Sequence, residues 1–189
     1  MSATFSNQPP KQTTAAAQPA GEVEGRTGVL TRDGFDERLL REWERARRAQ
    51  APLSLLLIDI DFFRAYVDSG RAPQGDDGLK KIAEALGRAL FRPTDVLARY
   101  GDDEFAVLLP AVHEEGARVV AARVRSQVHA LAMPHSGGVG GIVTVSIGVA
   151  ALTPEGELPP QQLITLCERA LAQAKRMGRD NIVSQDWLA

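Results

Sequence analysis

The chain has one cysteine, Cys167, and only three histidines, the scattered His113, His129 and His135. That scarcity excludes a disulfide framework and a Cys/His zinc site, and it suits a reducing cytosol. Neither sign of charge is in excess. Lys and Arg total 22 against 24 Asp and Glu, and the net charge of −2 gives no general attraction to nucleic acid or an anionic membrane. Any anion binding must therefore be local. No apolar run approaches the ~20 residues that span a bilayer, and the start of the chain lacks a basic-then-apolar leader pattern. A soluble, cytoplasmic protein is expected. Large apolar residues are also nearly missing from residues 1–22, which are rich in Ser, Thr, Gln, Pro and Ala. Such a segment cannot offset its own ordering entropy, so it reads as a disordered tail, too short for a sensory or receiver domain.

What remains, residues 23–189, has enough apolar content for one domain of ordinary size, the whole sequence being 44% apolar. Leu39, Trp43 and Ala46 recur at helical spacing from Phe35 to about Gln50, with Thr31 or Asp33 available as a cap. The run from Leu53 to Ile58 is too apolar for a half-exposed strand and suits a central one buried on both faces. Residues 62–67 read as a short helix. Asp76 opens another, along the stripe Leu79, Ile82, Ala83, Leu86 and Leu90. Val96 to Tyr100 and Phe105 to Leu109 read as two strands of a hairpin. Ala117, Ala121, Val124, Val128 and Leu131 mark a further helix, residues 142–150 a strand, and Pro159 opens a last helix that Gly178 closes. A short strand around Ile182 follows. The order is βααββαβ with an added edge strand and a leading helix. That is an α/β sandwich, palm-like, around a central mixed but mainly antiparallel sheet flanked by helices.

Carboxylates interrupt this pattern at two places. Asp59 and Asp61 end the central strand, and Asp102, Asp103 and Glu104 occupy the hairpin turn. A strand-end carboxylate beside a hairpin-turn carboxylate is how a palm-type nucleotidyl-transfer site holds two divalent metals. Lys175 and Arg179 stand four apart at a helix end and so share a face. Alone they read as a solvated pair. Asp61 reads as a structural hydrogen-bonder, Tyr100, Phe105 and Trp43 as packing residues, and Cys167 as inert packing. Arg41, Arg45, Arg47 and Arg48 read as a solvated basic helix end.

The pieces stand in a definite order. Thr27-Gly28-Val29-Leu30-Thr31-Arg32 comes first, then Asp59-Ile60-Asp61-Phe62-Phe63-Arg64, then Gly75-Asp76 with Leu79. Arg92-Pro93-Thr94-Asp95 precedes Arg99-Tyr100-Gly101-Asp102-Asp103-Glu104-Phe105. Residues 143–149 follow, and Ala174-Lys175-Arg176-Met177-Gly178-Arg179 comes last. From Thr27 to about Val183 the chain resembles the GGDEF domain family, the diguanylate cyclases, which condense two GTP into cyclic di-GMP and two pyrophosphates. The resemblance implies Mg²⁺ or Mn²⁺ on Asp59, Asp103 and the carbonyl of Ile60, with Glu104 acting close to the attacking hydroxyl. It also implies Lys175 and Arg179 on the β- and γ-phosphates, Gly101 and residue 102 against the nucleotide, and a homodimer with two sites face to face. Arg92 and Asp95, in RxxD spacing, with Arg123 on the neighbouring helix, would form an inhibitory site for cyclic di-GMP.

This sequence departs from the family at named positions. Asp102 replaces the second signature glycine, which lets the backbone approach the phosphates. A carboxylate there adds like-charge repulsion, roughly 1 kcal/mol at about 4 Å in water and about 4 at an effective dielectric of 20. Val67 stands where an asparagine would read the guanine edge, and the base groups left unpaired cost about 1 to 3 kcal/mol. Asp76, the other guanine-reading residue, is retained, while Arg71-Ala72 replaces the usual Gly-His of that loop. The expectation is a cyclic di-GMP signalling protein with weak or absent turnover that binds cyclic di-GMP at its RxxD site and passes the signal to a protein partner. An active, product-inhibited cyclase is the alternative, and a scaffold that binds no nucleotide a more distant one.

Overall fold

The computed structural model describes residues 23–68 and 75–188. The tail at 1–22 and the positions Arg71 and Ala72 lie outside the described residues, as does the side chain of Asp76. Strand β1 (Leu53–Ile60) is buried along its whole length. β3 (Glu104–Pro110) pairs with it antiparallel on one side, from Leu53 opposite Pro110 to Asp59 opposite Glu104. β4 (Val145–Leu152) pairs antiparallel on the other, from Leu53 opposite Leu152 to Ile60 opposite Val145. β2 (Val96–Arg99) adds outside β3, and β5 (Ile182–Ser184) outside β4 in parallel, giving the order β2-β3-β1-β4-β5. This is the mixed, mainly antiparallel sheet the sequence predicts.

Because successive strand residues point to opposite faces, β1 feeds two cores. Leu53, Leu55 and Leu57 join Phe35, Leu39 and Trp43 of α1 (Arg32–Ala49) and Leu163 and Cys167 of α5 (Gln161–Arg176). Leu56, Ile58 and Ile60 join Ile82 and Leu86 of α3 (Gly75–Arg88) and Ala117 and Val124 of α4 (Glu114–His129). The short α2 (Phe63–Asp68) lies between β1 and α3. Ser54, a polar residue near the start of this strand, donates its hydroxyl to the Val112 carbonyl at 2.6 Å. No helix among the described residues is long and apolar enough to cross a membrane.

Local chemistry sets the boundaries. The Thr31 hydroxyl accepts from the Gly34 amide at 3.2 Å, so α1 starts at Arg32, three residues ahead of Phe35. Arg41 and Arg47 pair with Glu37 and Glu44 on the solvent side of α1, and Trp43 donates its indole N–H to the Leu158 carbonyl at 3.2 Å. β4 begins at Val145, not at 142, because Val143 donates to the Met133 carbonyl at 2.9 Å and Ile142 bridges to Pro134. α5 starts at Gln161 with Pro160 as its cap rather than at Pro159. It packs tightly on β4 at Gly148, where a Cβ would meet the Cys167 carbonyl oxygen and lie 2.5 Å from the Leu171 nitrogen.

Candidate functional site

The end of β1 and the β2–β3 turn are tied together by backbone. Ile60 donates its amide to the Asp103 carbonyl at 3.0 Å, while Tyr100 and Gly101 both donate to the Glu104 carbonyl at 2.8 and 3.1 Å. Arg99 gathers the turn from outside, donating to the carbonyls of Gly101 and Asp102 at 3.1 and 2.9 Å and to Glu24 at 3.2 Å. The Asp102 side chain is exposed. Asp59 and Glu104 are register partners, and like charges directly opposite on paired strands repel. Asp59 is buried, and Lys175 reaches it from α5 with Nζ 2.6 Å from Oδ2. Burial pushes the Asp59 carboxyl up to about 6; the Lys175 ammonium pulls the other way, and the charges of Asp103 and Glu104 add to the rise.

Asp61 accepts hydrogen bonds from the Thr144 hydroxyl at 2.7 Å, the Ser146 hydroxyl at 2.6 Å and the Asp180 amide at 3.0 Å. It is fully buried and saturated, as a structural hydrogen-bonder should be. Beyond α5 the backbone stays in the left-handed region at Gly178, Arg179 and Asp180, with φ of 106, 66 and 44°. Arg179 lays its guanidinium over the ring of Phe62, 4.3 Å from the centroid. Asp180 is clamped by two residues of α4. Arg125 donates from Nε and Nη2 at 2.7 and 2.9 Å, and His129 Nε2 lies 2.6 Å from the same carboxylate. Burial raises the Asp180 carboxyl, but the hydrogen bonds from Arg125 and His129 outweigh it and hold it below the ordinary range.

A second polar cluster surrounds the turn before β2. The Arg92 amide donates to Asp95 Oδ2 at 3.3 Å, the Asp95 amide donates back to the Arg92 carbonyl at 3.0 Å, and Arg92 Nη1 donates to the Pro110 carbonyl at 3.2 Å. Burial raises the Asp95 carboxyl against the lowering pull of the Arg92 amide and the charges of Arg92 and Arg123. Asp95 Oδ1 and Arg123 Nε are buried without a hydrogen-bond partner. The Arg123 guanidinium lies over Phe91, 4.1 Å from the ring centroid.

Comparison with known proteins gives the family. The model of the diguanylate cyclase GGDEF domain matches residues 23–181. The chain belongs to the GGDEF family. It is 34% identical over 167 residues to the "Probable diguanylate cyclase DgcT" of Escherichia coli, covering 85% of this chain and 35% of that protein. The chain spans about a quarter to two-fifths of the length of the curated relatives DgcP, DgcT and DgcC. Among solved structures, the GGDEF domain of DgcB from Caulobacter crescentus in complex with cyclic di-GMP superposes with a TM-score of 0.79 at 24% identity, over 90% of this chain and 99% of that one. Diguanylate cyclase SiaD of Pseudomonas aeruginosa, in complex with its activator SiaC, superposes with a TM-score of 0.76 at 34% identity, over 87% of this chain and 62% of that one.

Within the GGDEF domain, Asp59, Ile60, Asp103, Glu104 and Lys175 gather at one end of the sheet, and Arg92, Asp95 and Arg123 form the separate second cluster. One expectation is corrected. Lys175 and Arg179 do not share a helical face, because α5 ends at Arg176 and the left-handed turn carries Arg179 off its axis. Val67 lies on α2 with 41% of its surface exposed, and Asp76 lies in the first turn of α3. Sequence reasoning missed Thr144, Ser146, Arg125, His129, Asp180 and Phe91. For all of these but Asp180 the signals were present. Thr144 and Ser146 repeat at period two beside an apolar strand, Arg125 and His129 stand at helical i,i+4 spacing, and Phe91 directly precedes Arg92.

Proposed function

We propose that this GGDEF domain serves mainly as a cyclic di-GMP binding module, with a nucleotide site that turns GTP over weakly or not at all. The observation that carries the binding half is the pair of buried, unpartnered atoms Asp95 Oδ1 and Arg123 Nε beside the exposed Arg92. A guanine base offers N–H groups to a carboxylate and a Hoogsteen edge to a guanidinium, and the linked phosphates suit the same arginines. Unmade hydrogen bonds of this kind cost about 1 to 3 kcal/mol each, which a ligand recovers.

At the other cluster the residues for the family reaction are present, with two changes. Lys175 and Arg179 supply positive charge for the β- and γ-phosphates, Glu104 stands at the strand start beside Gly101, and Asp76 is retained for the guanine. Among the described residues no three His, Cys, Asp or Glu side chains are gathered to hold a metal. Asp59, Asp103 and the Ile60 carbonyl are hard oxygen donors and would hold a Mg²⁺ or Mn²⁺ ion. The bound ion would supply charge neutralisation for phosphoryl transfer. Asp102 adds a carboxylate where phosphates must approach, and Val67 leaves a guanine edge unpaired. In this reading turnover needs two domains opposed in a homodimer, and a protein partner reads the ligand-bound state.

A cyclase braked by its own product is the second reading, favoured by the exposed side chain of Asp102 and the grip of Arg99 on its carbonyl. Calorimetric titration with cyclic di-GMP and, separately, with GTP and Mg²⁺, followed by product analysis of the GTP cell, distinguishes them. Tight uptake of cyclic di-GMP without product is expected. Product establishes the braked cyclase, and failure to take up cyclic di-GMP refutes the binding module.

A further inference from the structure

Phe91 is 71% exposed, more than any other large apolar side chain among the described residues. A lone exposed apolar residue is ordinary on a protein surface. The neighbours of this one are not. Phe91 immediately precedes Arg92 of the RxxD motif, and the Arg123 guanidinium covers one of its faces at 4.1 Å. With most of the side chain exposed, the other face is left to solvent. An aromatic ring with one open face, set among two arginines and a carboxylate that is short of a partner, matches the chemistry of a base-stacking platform.

We infer that Phe91 stacks against a purine base of the guanine dinucleotide held by Arg92, Asp95 and Arg123, an assignment that rests on the cyclic di-GMP reading of that cluster. The work divides by chemistry. A ring offers every base the same π-face, so Phe91 supplies affinity without choosing between bases. Choice comes from groups that hydrogen-bond the base edge, the guanidinium fork of Arg92 and the carboxylate of Asp95. Arg123 continues the stack from the other side of the ring, so ring, guanidinium and base form one column.

The test titrates the full chain with cyclic di-GMP, comparing the wild type with Phe91→Ala, Phe91→Leu, Phe91→Trp and the double change Arg92→Ala with Asp95→Ala. Phe91 is exposed, so the fold tolerates each replacement. Phe91→Ala and Phe91→Leu should both weaken binding roughly tenfold, because leucine keeps apolar volume but has no ring. Phe91→Trp should keep wild-type affinity, and the indole so introduced should be quenched as ligand saturates the site, after subtraction of the wild-type emission from Trp43 and Trp187. A residue that merely positions Arg123 would give no such quenching. Wild-type affinity in Phe91→Leu, or unchanged emission in Phe91→Trp, overturns the stacking role while leaving the RxxD site standing. Binding that is absent from the wild type, or indifferent to the Arg92 and Asp95 changes, overturns the underlying reading and the stacking role together.

Discussion

Asp180→Asn preserves the shape of the turn after α5 and removes one charge. Asparagine tolerates the φ of 44° found there as aspartate does, so the substitution isolates the electrostatic clamp from backbone strain. In the native protein the carboxylate meets Arg125 twice, at 2.7 and 2.9 Å, and His129 once, at 2.6 Å. An amide in its place turns an N–H₂ group toward one of these donors. Two magnitudes bracket the cost. Exposed ion pairs contribute about 0 to 1 kcal/mol, and breaking a buried pair costs about 3 to 5. The side chain of Asp180 is only 14% exposed, but those of Arg125 and His129 are 39 and 36% exposed, which screens the pair. About 2 kcal/mol is the expected loss, or roughly 4 to 8 °C in Tm for a domain of this size. The pH dependence has a definite sign. A carboxyl held below its ordinary value contributes stability that is present above the unfolded pKa and lost as pH falls through the folded one. Thermal melts of both proteins should therefore differ fully at pH 7 and converge in acid. A gap under about 0.5 kcal/mol at pH 7, or one that persists unchanged in acid, would refute the reasoning.

Three other outcomes are expected. Asp102→Gly combined with Val67→Asn should raise GTP turnover about tenfold or more, since regaining the guanine contact alone is worth about 1 to 3 kcal/mol; a product assay showing no gain would locate the defect elsewhere. Arg92→Ala with Asp95→Ala should abolish cyclic di-GMP uptake in calorimetry, and unchanged affinity would move the ligand to another site. Gly148→Ala should destabilise the fold by about 3 kcal/mol, because its Cβ meets helix backbone, which cannot swing aside as a side chain can; a denaturant midpoint equal to wild type would contradict the packing of α5 on β4.

The central strand was legible because Leu53 to Ile58 is a long apolar run, and the hairpin because Gly101-Asp102 divides two such runs. The ends of elements were less so. The start of β4 depends on Val143 pairing with Met133, a contact set by a neighbouring loop that leaves no trace in apolar periodicity. The carboxylates of the candidate site were legible as interruptions of the strand pattern, and Asp61 as a buried acceptor. Arg179 was misplaced because helical spacing was carried past Met177, whereas Gly178 at φ 106° turns the chain away. Asp180 was invisible for a different reason. Its partners lie on α4, more than fifty positions away, and no local pattern marks a turn residue that docks on a distant helix.

Cys167 is fully buried, with its Sγ within hydrogen-bonding reach of the Leu55 and Gly148 carbonyls at 3.2 Å. Burial pushes its thiol well above the ordinary range, so little thiolate forms near neutral pH. Since it is the only cysteine in the sequence, the native chain is already a silent background for thiol chemistry. A spectroscopic label attached to a cysteine introduced on the outer face of α1 or α4 would report from that position alone, without first removing a native residue from the core.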